Sequence, residues 1–217
     1  MTTIIRPPRL RSGDRVMLVA PAGPVSGDRL SAALTRTRAL GFEPVLGNAL
    51  IRRTGYLAGP DDLRAADFQH AVDDPDIKAI WAVRGGYGGM RTLPRVDLGG
   101  MLDRPRAFIG FSDNTVIHLA LARLRVVSFH GPHAGGDAAT DATAECFRRV
   151  LWRAEPAGVL PAGDGPAPET LVGGAAEGRL VGGNLALLAA TCGTPWQVQA
   201  RGCILLIEDV GEPLYRI

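Results

Sequence analysis

A serine on a tight turn between a strand and a helix can serve as a nucleophile, and Ser112 occupies such a turn. Gly110-Phe111-Ser112-Asp113-Asn114 follows the apolar run Ala107–Ile109 and precedes a helical stretch. A hydroxyl there projects into the crevice beyond a sheet. The amide after it, that of Asp113, faces the same space at the positive end of a helix and could hold an oxyanion. The pattern departs from GxSxG, because Asn114 stands where the second glycine would be. Capping of the helix by Ser112 or Asp113 explains the same residues equally well.

A second group is Arg84-Gly85-Gly86-Tyr87-Gly88-Gly89-Met90-Arg91. Consecutive glycines let a backbone take positive φ and turn its amides toward an anion. The spacing fits neither a dinucleotide fingerprint nor a P-loop, since Arg91 fills the sixth position and no Gly-Lys-Ser/Thr follows. The preferred use is an oxyanion-hole amide from Gly85 or Gly86, with a purely structural turn as the alternative. A third group is Glu208, at the end of the run Cys203–Ile207, where a carboxylate either orients a base or marks emergence into solvent; Asp209 fits as well.

A serine hydroxyl needs a base near pH 7. His70 and His118 fall within predicted helices, as surface or packing residues. His130 and His133, in Phe129-His130-Gly131-Pro132-His133, follow a predicted strand and border the crevice. They could act as a base, form half of a metal site, or simply hydrogen-bond in a proline-bearing loop. No acidic or cysteine cluster accompanies them, which argues against metal.

These groups need a scaffold. The 217 residues, 46% of them hydrophobic, suffice for a real core. With 24 basic and 22 acidic residues the net charge is only +2. That balance gives no general attraction to nucleic acid or membrane. The stretch Val16–Ala20 is too short for a signal-peptide core, and no run reaches spanning length, so a cytoplasmic protein is expected. Cys146, Cys192 and Cys203 are widely spaced and odd in number, which suggests buried small hydrophobes rather than disulfides or zinc ligands.

Predicted strands at Val16–Ala20, Glu43–Leu46, Ala79–Val83, Ala107–Ile109 and Val126–Phe129 alternate with predicted helices. Those helices run from about Asp28 to Leu40, from an N-cap at Asp61 and Asp62 to Val72, and from Asp113 to Leu124. The alternation argues for an α/β fold with a parallel sheet flanked by helices. Residues 1–155 would form this nucleophile domain, and the Pro-, Gly- and Ala-rich 156–174 a linker. Residues 175–217 would begin a C-terminal domain with β-structure: a short strand pair near Ala176–Val181, a helix Asn184–Thr191 and a strand Cys203–Ile207. About 50 residues are few for an independent core, and Pro213 reads as the first position of a helix, so the domain is expected to be incomplete.

Taken in order, the motifs resemble the serine LD-carboxypeptidases, the family of muropeptide LD-carboxypeptidases and microcin C immunity peptidases. They are Gly13-Asp14-Arg15-Val16, Ala20-Pro21-Ala22-Gly23, Arg84-Gly85-Gly86-Tyr87-Gly88 with Arg91, and Gly110-Phe111-Ser112-Asp113-Asn114-Thr115. Phe129-His130-Gly131-Pro132, Gly182-Gly183-Asn184-Leu185, Cys192-Gly193-Thr194 and Ile207-Glu208-Asp209-Val210 complete the set, so the resemblance covers essentially the whole chain. It implies a Ser-Glu-His triad with Ser112 as nucleophile and Glu208 as the acid, and an oxyanion hole from Asp113 and a glycine of the Gly85-Gly86 pair. It also implies release of a terminal D-alanine from a muropeptide tetrapeptide through an acyl-enzyme, no metal or organic cofactor, and a homodimer. The family's histidine lies beyond the point where this sequence stops, and His130 is not that base. The chain alone is therefore expected to be nearly inactive. Cleavage of an aminoacyl-nucleotide amide and a non-catalytic ligand-binding fragment are the alternatives; an aromatic residue stacking on adenine would favour the former, but Trp196 and Tyr87 could equally be core.

Overall fold

A computed structural model of the chain describes residues 3–136, 141–153, 155–159 and 167–217. Five strands, β1 (Arg15–Val19), β2 (Glu43–Leu46), β3 (Ile77–Ala82), β4 (Ala107–Gly110) and β5 (Phe129–His130), form one parallel sheet in the order β2-β1-β3-β4-β5. In β1, Val16 and Leu18 enter one core cluster and Met17 and Val19 the other. Burial on both faces is what an unbroken apolar strand requires, and it makes the sheet a central layer.

Helices α1 (Gly27–Ala39), α2 (Asp61–Asp73), α3 (Gly89–Thr92), α4 (Gly100–Asp103), α5 (Thr115–Arg123), α6 (Asp141–Trp152) and α7 (Leu185–Ala190) complete the structure. The cluster containing Trp81 gathers Ala33 of α1 and Leu151 of α6. The cluster containing Phe108 gathers Phe68 and Val72 of α2, Met101 of α4 and Val116 and Leu121 of α5. Ser26 caps α1 by accepting from the Arg29 amide. Pro60, not an aspartate, is the N-cap residue of α2; Asp61 and Asp62 sit in its first turn, where they complement the helix dipole. Helix α6 was not anticipated, and β5 is shorter and later than expected, because Val126 forms only an isolated bridge to Ile5.

The expected strand pair near Ala176 is a single strand, β6 (Arg179–Asn184). Its parallel partner is β7 (Cys203–Glu208), across α7. The tail carries a short 3-10 turn, Leu214–Arg216, with Pro213 as its N-cap residue. No described residue between 155 and 178 lies in a helix or strand. The cysteines are free, but none is fully buried: Cys192 is exposed, and Cys146 and Cys203 are half-buried. Among the described residues no helix is long and apolar enough to cross a membrane.

Candidate active site

The strand order reverses between β1 and β3, and in such sheets ligands bind beyond the strand ends at the reversal. The turns there touch. The Gly23 amide, after β1, donates to Gly85 O, after β3, at 3.0 Å. A Cβ on Gly85 would lie 3.2 Å from Ser112 Oγ and 3.3 Å from His133 Cε1, so any side chain there would crowd the serine.

Ser112 itself has φ of 60°, one of two non-glycine residues in the left-handed region among the described residues. Such a conformation costs about 1–3 kcal/mol and persists only where neighbours enforce it. Enforcement comes from Asn114: its amide donates to Phe111 O at 3.2 Å and its side-chain Nδ2 to the same carbonyl at 3.0 Å. Asn114 thus replaces the second glycine of the usual motif with a brace. Gly110 keeps the strand end small, since a Cβ there would meet Ala82 Cβ and Asn114 Nδ2 at 3.2 Å.

Neither Ser112 nor Asp113 caps the helix by a side-chain bond. The Asp113 carboxylate instead accepts from the Gly89 amide at 2.7 Å, which ties the Ser112 turn to the glycine loop. Burial raises the pKa of Asp113, against the pull of that bond and of the Arg64 charge. The amides of Gly85, Gly86 and Asp113 donate to no acceptor among the described residues and are available to a ligand.

The four histidines separate. His70 is surface, 3.8 Å from Asp74. His118 is buried in α5, with Nδ1 2.7 Å from Ser128 Oγ and Nε2 2.8 Å from Gly110 O, and burial lowers its pKa to about 4. Neutral His118 therefore holds the carbonyl at the end of β4. His133 is also buried and stacks on Phe111 at 4.2 Å. Its Nε2 lies 3.0 Å from Asn114 Nδ2 and 3.1 Å from Phe111 O, and burial lowers its pKa to about 4. His130 is exposed on the whole, but partial desolvation of its ring lowers its pKa, opposed by the charge of Glu208.

Glu208 ends β7, paired in register with Asn184. Its Oε1 is buried and has no hydrogen-bond partner among the described residues. Asp209 is occupied otherwise, accepting from the Ala186 and Val210 amides. The ribbon docks beside the serine: the Asn184 amide donates to Thr115 Oγ1 at 3.0 Å. Gly183, at φ of 141°, leaves room for Thr115, whose Oγ1 a Cβ would meet at 2.5 Å. Among the described residues no group of three or more His, Cys, Asp or Glu could hold a metal. A cavity of about 640 Å³ lies elsewhere, between α1 and α6 over Trp81.

Arg64 was missed in sequence. Fully buried, it donates to Pro21 O at 2.7 Å and Gly88 O at 3.0 Å and pairs with Asp61, joining the loops after β1 and β3. The available signal was its position on the apolar stripe of Phe68, Ala71 and Val72 at helical spacing.

Known proteins resemble this chain along its length. The family model for the LD-carboxypeptidase N-terminal domain matches residues 16–131, and that for the LD-carboxypeptidase C-terminal domain matches 177–217. A relative from Streptomyces coelicolor is 44% identical over 225 residues, covering 100% of this chain and 71% of its own. The murein tetrapeptide carboxypeptidase of Pseudomonas aeruginosa is 40% identical over 210 residues, covering 94% of this chain and 68% of its own. Among solved structures, an MccF-like protein from Bacillus anthracis superposes with a TM-score of 0.85 over 94% of this chain and 70% of its own; at 24% identity it speaks to the fold alone.

Proposed function

The chain belongs to the LD-carboxypeptidase family of serine peptidases, and we propose that it serves the cleavage of a terminal D-alanine from a muropeptide tetrapeptide. The observation that carries the reading is Ser112 at φ of 60° on the strand-to-helix turn, with the glycine loop closed over it. Backbone strain held at one serine by buried neighbours is typical of a positioned nucleophile.

In this mechanism Ser112 Oγ attacks the amide carbonyl between an L-centre and D-alanine, and its proton passes to a base. The oxyanion of the tetrahedral intermediate is held by the amides of Asp113 and of Gly85 or Gly86. Collapse breaks the C–N bond, the amine of D-alanine takes up a proton and leaves, and water then hydrolyses the acyl-serine. Glu208, with its unpartnered buried oxygen, is the acceptor for an imidazole N–H that orients the base. His133 is a poor base, because its Nε2 is engaged and its pKa is held near 4. His130 lies near Glu208 but is not the family's base. We accordingly expect little turnover from these residues alone, and a cytoplasmic homodimer for the working enzyme. Trp196 packs against the core, whereas Tyr87 is 60% exposed beside Tyr56 and stays a stacking candidate for the aminoacyl-nucleotide alternative.

The test is D-alanine release from an LD-linked tetrapeptide by this chain and by Ser112→Ala. Removing a triad serine costs roughly 10³–10⁶ in rate. Turnover that survives Ser112→Ala overturns the reading. Turnover that needs Ser112 and is lost in His133→Gln or His130→Gln instead places the base within these residues.

A further inference from the structure

The site is surrounded by arginines, and nearly all are already spent. Arg64 and Arg91 pair with Asp61, and Arg95 with Asp62. Arg36 donates to the carbonyls of His133, Ala134 and Gly136. Arg84 differs. It is half-buried, donates through Nη1 to Pro24 O at 2.8 Å, and pairs with no carboxylate among the described residues. Its Nε and Nη2 donate to nothing described. A half-buried guanidinium with one carbonyl partner retains an uncompensated charge and a free donor pair.

Its position gives that charge a use. Arg84 directly precedes Gly85, the residue packed on Ser112 Oγ. Its Nε lies 3.5 Å from where a Gly23 Cβ would stand and 3.9 Å from that of Gly86, against the contact that closes the loop. Burial lowers the His133 pKa most; the bond to Phe111 O opposes this, and the charges of Arg29, Arg84 and His130 add to it, while His133 Cε1 also faces Gly85. Arg29 is exposed and already reaches Gly135 O at 3.4 Å.

Resting on the carboxypeptidase reading, we propose that Arg84 is a specificity-determining residue that binds the terminal carboxylate of the peptide substrate through its free guanidinium N–H groups. An enzyme that removes only the last residue must sense the chain end. That carboxylate lies one residue, about 3.8 Å along the chain, beyond the attacked carbonyl. A guanidinium matches it with two parallel hydrogen bonds, and hydrogen bonds to a charged group are worth about 1.5–3 kcal/mol, so the preference for the acid is about tenfold or more.

The experiment is calorimetric binding of an LD-linked tetrapeptide as free acid and as C-terminal amide, in the Ser112→Ala chain so that no turnover intervenes. The free acid should bind at least about tenfold more tightly than the amide. Adding Arg84→Gln should remove that preference, with the amide affinity unchanged, whereas Arg84→Lys should retain part of it. Unchanged amide binding also shows that the Arg84→Gln site is still folded. A preference for the acid that survives Arg84→Gln overturns the inference and leaves the carboxypeptidase reading intact. No binding of either peptide before Arg84 is changed sinks that reading, and this inference with it.

Discussion

The five-stranded sheet and the β6–β7 ribbon meet at one site but are built to different standards. Every residue of β4 is buried, and Trp81 in β3 is 1% exposed. In β7, Ile204 and Leu206, which face one side, and Leu205 and Ile207, which face the other, are all 39–52% exposed. The serine, the glycine loop and the bracing histidines rest on the packed layer. Glu208 rests on the ribbon, held by the Asn184–Thr115 bond and by the close approach at Gly183. The Ser112 turn and the glycine loop therefore rest on a packed layer, while Glu208 rests on a strand whose faces are both open among the described residues.

The contrast can be broken most forcefully at Trp81. Trp81→Ala should cost about 3–5 kcal/mol in urea unfolding, since cavity and transfer terms add in a packed core. An effect under about 1 kcal/mol would mean that the sheet is not the stabilising layer.

A pH series probes the same region from the charge side. His118 and His133 have folded pKa values of about 4, below the unfolded 6.5. Between those values the unfolded chain binds more protons, so stability is complete above pH 6.5, falls as pH drops, and levels off below about 4. The loss is on the order of 3 kcal/mol for each histidine. Asp113, with its pKa raised by burial, has the opposite sign and offsets part of this at the acid end. His133→Asn should flatten the profile; an unchanged slope would assign the loss to other groups.

Gly183→Val attacks the junction. A Cβ there collides with Thr115 in a conformation that L-residues rarely adopt, at a cost of about 2–3 kcal/mol. Hydrogen exchange should quicken in β6 and β7 while β1, β3 and β4 stay protected. Equal acceleration in both regions would show that they unfold as one unit. The smallest effect is expected at Ile207→Ser, 52% exposed, within about 0.5 kcal/mol by the same urea measurement.

Much of the scaffold was legible in sequence, because apolar runs bounded by glycine, proline and aspartate carry their own periodicity. Glu43–Leu46 and Ala107–Ile109 fell where expected, while turn chemistry singled out Ser112 and the Gly85-Gly86 pair without separating a catalytic from a structural use. The strand pair expected near Ala176 failed because a two-glycine strand has little pattern, and its partner Cys203–Glu208 lies beyond a helix. Asp113 was read as an amide donor or a cap; its carboxylate was not seen to bridge to Gly89, because that partner is remote in the chain.

The order of residue types by itself determined the parallel α/β class, the turn that carries Ser112 and the glycines that can approach it, since these depend on local propensity and period. Tertiary structure alone decided that Ser112 is strained, that Asn114 and His133 brace it, that Arg64 is spent while Arg84 is not, and that Glu208 keeps an oxygen without a partner. Each of these is a matter of which distant groups share a low-dielectric space, and a linear sequence does not encode distance.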